Sequence, residues 1–269
     1  MENKKTSTFT FKKRLMSMLK VDFKRMLISP IFYIMVGIAL IIPILILVMT
    51  TMMAGTESID PITNEITIME PIFTNVWQAI GTIPSKTSEM TMDVSTMCNI
   101  DMMFFIIAVI VCIFVSEDFK SGFSKCLFTV RSNKKDYVIS KTLVCFIMGI
   151  SMLIAYFVGA LIGGAISKLS FELVEITPIN LIMCILSKLA LVLVFVPIFL
   201  VMSVIGKQKT WLSMILSFGV SMLLFMMVSA ISPLNATIIN VLLSLVGGLL
   251  FSIGLGSISN TILKKSSLV

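Results

Sequence analysis

The chain has 269 residues, is 57% hydrophobic and 13% charged, and has a mean hydropathy of +1.06. Soluble domains carry about 25% charged residues, so too little polar surface exists here to cover a water-soluble globule. A soluble enzyme, a nucleic-acid-binding domain and a disordered chain are thereby excluded, and the expected class is an all-α membrane protein. The sequence contains no His, which removes His bases, His-containing triads and His-ligated zinc.

Residues 1–30 form the first expected unit. Within it Thr8 to Ile28 reads as an amphipathic helix, because Phe11, Leu15, Met18, Leu19, Met26 and Leu27 recur at helical spacing among Lys and Arg. Such a helix lies in the interface with its basic side toward lipid phosphates. It serves either as a generic basic anchor or as a docking elbow for a cytoplasmic partner. Ser29-Pro30 ends it, since a residue before Pro is steered away from helix.

Residues 31–269 form the second unit. A bilayer-crossing helix needs about 20 mostly apolar residues, and six stretches qualify: about 31–53, 97–115, 142–167, 179–205, 211–231 and 238–263. The runs are continuous rather than alternating, which excludes a β-barrel. The first run is longer than the apolar core of a secretory signal, about 7–15 residues, and is expected to remain as an anchor. The second is the weakest and reaches full length only by including Asn99 and Asp101. Pro43 and Pro197 lie inside spans and are expected to kink them. Ala155, Gly159 and Gly163 line one face of the third span, and Gly248, Ser252 and Gly256 one face of the sixth. Small residues allow close helix approach, either within one subunit or at a dimer seam.

The loop 54–96 is long and rich in Thr, Ser, Pro and acids. An external subdomain, a substrate gate and a mobile loop all fit it. Around Trp77, Val76 to Ile80 is a candidate interfacial helix, because Trp favours the headgroup level. Lys188 sits inside the fourth span. It either snorkels to the interface or pairs with Asp101, and a charge pair within the membrane is a functional-site candidate. Cys98, Cys112, Cys126, Cys145 and Cys184 form no CxxC and are expected to be free thiols.

Charge sorts the two faces. Eighteen of the 21 basic residues fall in residues 1–30, the 116–141 loop, the loop before the fifth span and the C-terminal tail. The positive-inside rule then places both termini in the cytoplasm. The cytoplasmic side carries +13, the external side −6, and Asp101 and Lys188 cancel. The basic surplus is read as a topology signal and a contact for membrane lipids, with no nucleic-acid partner.

The loop 116–141 carries the most information. Phe119, Phe123 and Leu127 recur at i, i+4 and i+8, with Glu117 and Asp118 before them and lysines after. This predicts one short amphipathic helix whose dipole is complemented. A break at Arg131-Ser132-Asn133 and a second short helix into the third span follow. Here the chain resembles the permease subunit of a type-two ATP-binding-cassette (ABC) exporter. The matching residues are Glu117, Asp118, Gly122, Leu127, Arg131, Ser132, Tyr137 and Lys141. The resemblance implies that the short helix, with Phe119 and Phe123 on its apolar side, is a coupling helix seated on an ATPase subunit. It also implies a bacterial cell-membrane location, a second permease copy or a paralogue, and export of a peptide, lipid-like or drug-like molecule. The tight Ser232–Thr237 connection and the long 54–96 loop depart from the family's usual pattern. The chain has no GxxxxGK[ST] motif, so it is expected not to be an enzyme and to need no cofactor, ATP being hydrolysed by the partner. A secondary transporter and a non-transport immunity or sensor component are the competing readings. The first would show inverted repeats and more intramembrane charge than Asp101 and Lys188.

Overall fold

The computed structural model describes residues 11–59, 66–68, 71–81, 98–130, 134–173 and 176–265. Among these the chain forms helices α1 (Phe11–Ile28), α2 (Pro30–Met53), α3 (Met103–Lys120), α4 (Phe123–Val130), α5 (Lys135–Ile166), α6 (Pro178–Gly206), α7 (Thr210–Ile231) and α8 (Ile238–Lys265). A 3-10 turn, Ile100–Met102, leads into α3. Two short strands, β1 (Glu57–Ile59) and β2 (Ile66–Ile68), pair antiparallel with Glu57 opposite Ile68. Among the described residues these are the only strands, beside an isolated bridge between Asn75 and Ser170.

Among the described residues, five helices are long and apolar enough to cross a membrane: α2, Ile100–Lys120, α5, α6 and α8. In lipid, backbone amides and carbonyls find partners only inside a helix or a closed barrel, which accounts for the length of these elements. α7 has 22 residues, and its described apolar stretch, Thr210–Phe225, is shorter. The helix starts follow local chemistry. Ser29 is extended and Pro30 opens α2, while Pro178 opens α6 behind Thr177, whose hydroxyl accepts from the Asn180 amide. Pro suits the first helical position because its missing N–H would be unpaired there anyway.

α6 is the most enclosed spanning helix, with 72% of its apolar stretch buried; α8 is the least, with 11%. The core lies where α3, α5 and α6 meet, with Phe104 stacked on Phe195 at 4.4 Å. The small residues admit neighbouring helices of the same chain. A Cβ at Gly159 would collide with the Leu40 carbonyl of α2, and one at Gly163 would lie 2.9 Å from Ile44 Cα. Pro43 fits against Gly159, so the residue that costs α2 a hydrogen bond also packs into the α5 notch. Gly248 of α8 receives Leu193 of α6, and Ser252 donates to the Leu193 carbonyl.

Two expectations need correction. The acid pair does not start the short helix. α3 runs on through Glu117 and Asp118 to Lys120, and the chain turns at Ser121-Gly122 before α4 begins. Gly122 has φ +74°, a left-handed conformation that side chains with a Cβ resist. Ser121 caps the end by donating from its hydroxyl to the Glu117 carbonyl. The two acids therefore lie at a helix C-terminus, where the dipole disfavours them; Lys120 is the basic residue of that turn, and the cations that pair with Asp118 come from α1 and α5. The segment around Trp77 is also shorter and tighter than the helix expected from Val76 to Ile80. It is a four-residue 3-10 turn, Val76–Ala79, capped by Asn75 and Gln78. Val76 packs on Gly164 of α5, Trp77 Nε1 donates to the Phe171 carbonyl, and Asn75 Nδ2 to that of Glu172. The turn is pinned to the segment linking α5 and α6.

Candidate functional site

The α4 end of the bundle holds a buried ionic cluster assembled from three helices. α1 brings Met18, Asp22 and Met26 to its buried face, one turn apart. Asp22 is fully buried. Lys141 of α5, also fully buried, bridges two carboxylates, with Nζ 2.9 Å from Asp22 Oδ1 and 2.7 Å from Asp118 Oδ2. Arg25 reaches Asp118 Oδ1 at 2.5 Å, Tyr137 donates to Asp118 Oδ2 at 2.9 Å, and Ser140 to Asp22 Oδ2 at 2.6 Å. The Lys141 ammonium also lies over the Phe114 ring at 4.1 Å. Nearby, Arg14 pairs with Asp136 at 3.2 Å. Two carboxylates against an Arg and a Lys leave the cluster neutral, which is the condition for burying so many charges.

This cluster fixes α4. Arg25 lies over the Phe123 ring at 4.5 Å, and Phe128 meets Tyr137 edge-on at 5.3 Å. Phe123, Leu127 and Phe128 pack toward the core, while Lys125, Cys126 and Thr129 face outward. α4 is thus a short amphipathic helix clamped between two long helices, with a small polar face left accessible. Burial pushes the Lys134 ammonium just beyond it down from its ordinary value.

The residues expected at the coupling segment divide into four groups. Asp118, Tyr137 and Lys141 meet in the buried cluster. Phe119, Phe123 and Leu127 belong to the packed interior, and Gly122 makes the turn. Glu117 is exposed. Arg131 and Ser132 lie outside the described residues. Asp22 and Arg25 were not among the residues expected here. The available signal was Asp22 itself, an acid midway between Met18 and Met26 on the apolar stripe of a basic helix.

The opposite end holds a second buried pair. Asn99 caps the turn before α3, accepting from the Asp101 amide at 2.9 Å. Lys188 Nζ lies 2.6 Å from Asp101 Oδ1 and 3.2 Å from Ser232 Oγ, and Ser232 in turn donates to the Val228 carbonyl. Lys188 and Asp101 are each 1% exposed, so the lysine does not snorkel. The pair ties α3 to α6 and to the end of α7. All five cysteines are free, and Cys126 is the exposed one. Among the described residues no group of His, Cys, Asp or Glu is placed to hold a metal.

No protein-family model, curated protein or solved structure matches the chain.

Proposed function

We propose that the chain is the membrane permease subunit of a bacterial ABC exporter, with six spans, both termini in the cytoplasm, and ATP hydrolysis on a separate subunit. The observation that carries this reading is α4. It is a short helix between two long apolar ones, braced from behind by the Asp22–Arg25–Asp118–Lys141 cluster, with Lys125, Cys126 and Thr129 presented outward. A rigidly braced surface helix transmits a push to the helices that hold it, whereas a loosely tethered one absorbs it. On this reading α4 seats on the ATPase. Asp118, Tyr137 and Lys141 act as positioning residues that pass its movement to α3 and α5. Alternating access is then a shift between two populated states, biased by ATP closure of the partner. The second permease copy or paralogue completes the path, and the cargo is a peptide, lipid-like or drug-like molecule.

The test is a photocrosslinking amino acid at Thr129 in native membranes. The expected adduct is a protein with a P-loop. A crosslinker that is incorporated and photoactive but gives no such adduct counts against the proposal. The Asp101–Lys188 pair favours a second reading, transport driven by an ion gradient, because intramembrane charge often marks ion coupling. Gradient-driven uptake by the chain alone in proteoliposomes would select that reading.

A further inference from the structure

A cleft of about 400 Å³ opens on the outside of the bundle between α5 and α8, with Leu193 of α6 as its back wall. Its lips are exposed apolar side chains, including Ile139 of α5 and Ile253 of α8. Gly256 keeps it open, since a Cβ there would meet only Val138, at 3.9 Å. The α5 lining runs from Lys135 to Phe146, about 16 Å at helical rise. One leaflet's hydrocarbon is about 15 Å thick, half of the usual core, so the cleft is one leaflet long.

Its α4 end is polar. Asn260 lines the cleft, is 8% exposed, and its Oδ1 has no hydrogen-bond partner. Such an oxygen is costly to bury unless an occupant supplies a donor. Lys135 borders the same end. Lys134 donates to the Leu263 carbonyl at 2.5 Å, which brings the end of α8, with Lys264 and Lys265, beside it. An apolar slot with cations and an acceptor at its mouth complements an anionic amphiphile that also bears a hydroxyl. Basic recesses between spanning helices are a recurrent headgroup site. The lateral opening, toward the apolar flank of the bundle, selects the bilayer as the source.

We propose that this cleft holds one acyl chain of an acidic glycerophospholipid, with its phosphate at Lys135 and the α8 lysines and a headgroup hydroxyl donating to Asn260. The site is independent of the exporter reading and requires only that the helices lie in a bilayer.

The test uses the full chain in nanodiscs containing either phosphatidylglycerol or phosphatidylcholine with a photoactivatable acyl chain, followed by mapping of the labelled peptides. Phosphatidylglycerol is expected to label residues 138–146 and 249–260 more than phosphatidylcholine, by about fivefold for each engaged cation. Lys135→Gln should reduce that preference by about the same factor. Gly256→Leu should abolish labelling of both segments, whereas Gly247→Leu, at a glycine with no atom near its Cβ position, should not. If Gly256→Leu does not fold, Asn260→Leu replaces it, with loss of the phosphatidylglycerol preference expected. Equal labelling by both lipids would mean annular lipid only and would overturn the proposal, as would labelling unchanged in Gly256→Leu or, where it is the substitute, an unchanged preference in Asn260→Leu.

Discussion

The most informative perturbation of the α4 clamp is Lys141→Met. Lys141 is fully buried and serves two carboxylates at once, at 2.9 Å and 2.7 Å. Removing it leaves Asp118 with Arg25 and Tyr137, but leaves Asp22 with only the Ser140 hydroxyl among its charged and polar contacts. Breaking a buried pair in this way costs about 3–5 kcal/mol, because the surviving charge is uncompensated. Asp22→Asn added to Lys141→Met removes that orphan and restores neutrality with Asp118 and Arg25. The double variant is therefore expected to be less destabilised than the sum of the two single variants, by about 0.5–3 kcal/mol, the scale of coupling between contacting residues. Reversible unfolding in mixed micelles, followed by far-ultraviolet circular dichroism across all four members of the cycle, measures this. If the two substitutions simply add, Lys141 and Asp22 are not coupled and α1 is not held as described.

Reversing either member of the opposite pair, Asp101→Lys or Lys188→Asp, should abolish accumulation of folded protein, and the swap of both should restore it. Membrane-fraction yield and thermal stability report this. Gly159→Ala should cost about 1–3 kcal/mol through overpacking against Leu40 and Pro43, whereas Gly247→Ala should be close to neutral; thermal unfolding of the two variants compares them. A membrane-impermeant maleimide should label Cys126 rapidly and Cys112, Cys145 and Cys184 only after unfolding, given their burial. Under the proposed topology Cys126 reacts in inverted vesicles and not in right-side-out ones.

The ends of α2, α6 and α7 fall within one residue of the apolar runs, where Pro30, Pro178, Gly206 and Ser232 stand, but α3 runs past the expected end at 115 to Lys120 and α5 starts at Lys135 instead of 142. The pairing of Asp101 with Lys188 was open to inference from scarcity, since few other charges lie within the apolar stretches. The α4 clamp was only half legible. Asp118, Tyr137 and Lys141 stood out together, but spacing alone attached the acids to the wrong helix, because the i, i+4, i+8 pattern of Phe119, Phe123 and Leu127 continues across the break at Gly122. Helical periodicity has no memory of a left-handed residue in its midst. Asp22 and Arg25 were hidden for a different reason. A basic amphipathic helix is expected to lie on lipid, and only tertiary packing turns its Met18–Asp22–Met26 face toward α5. The 3-10 turn at Trp77 likewise depends on Gly164 and Phe171, far along the chain.

The central claim is that α4 is the surface on which an ATPase docks, and the Cys126 thiol, on its outward face, reports it directly. The measurement is the maleimide labelling rate of Cys126 in proteoliposomes, with and without a stoichiometric ATPase subunit bound. The rate is expected to fall by about tenfold or more on binding, equivalent to about 1.4 kcal/mol of protection, with mutation of the outward residues Lys125 and Thr129 releasing the ATPase. An ATPase that binds in full stoichiometry while Cys126 keeps its free labelling rate would contradict it.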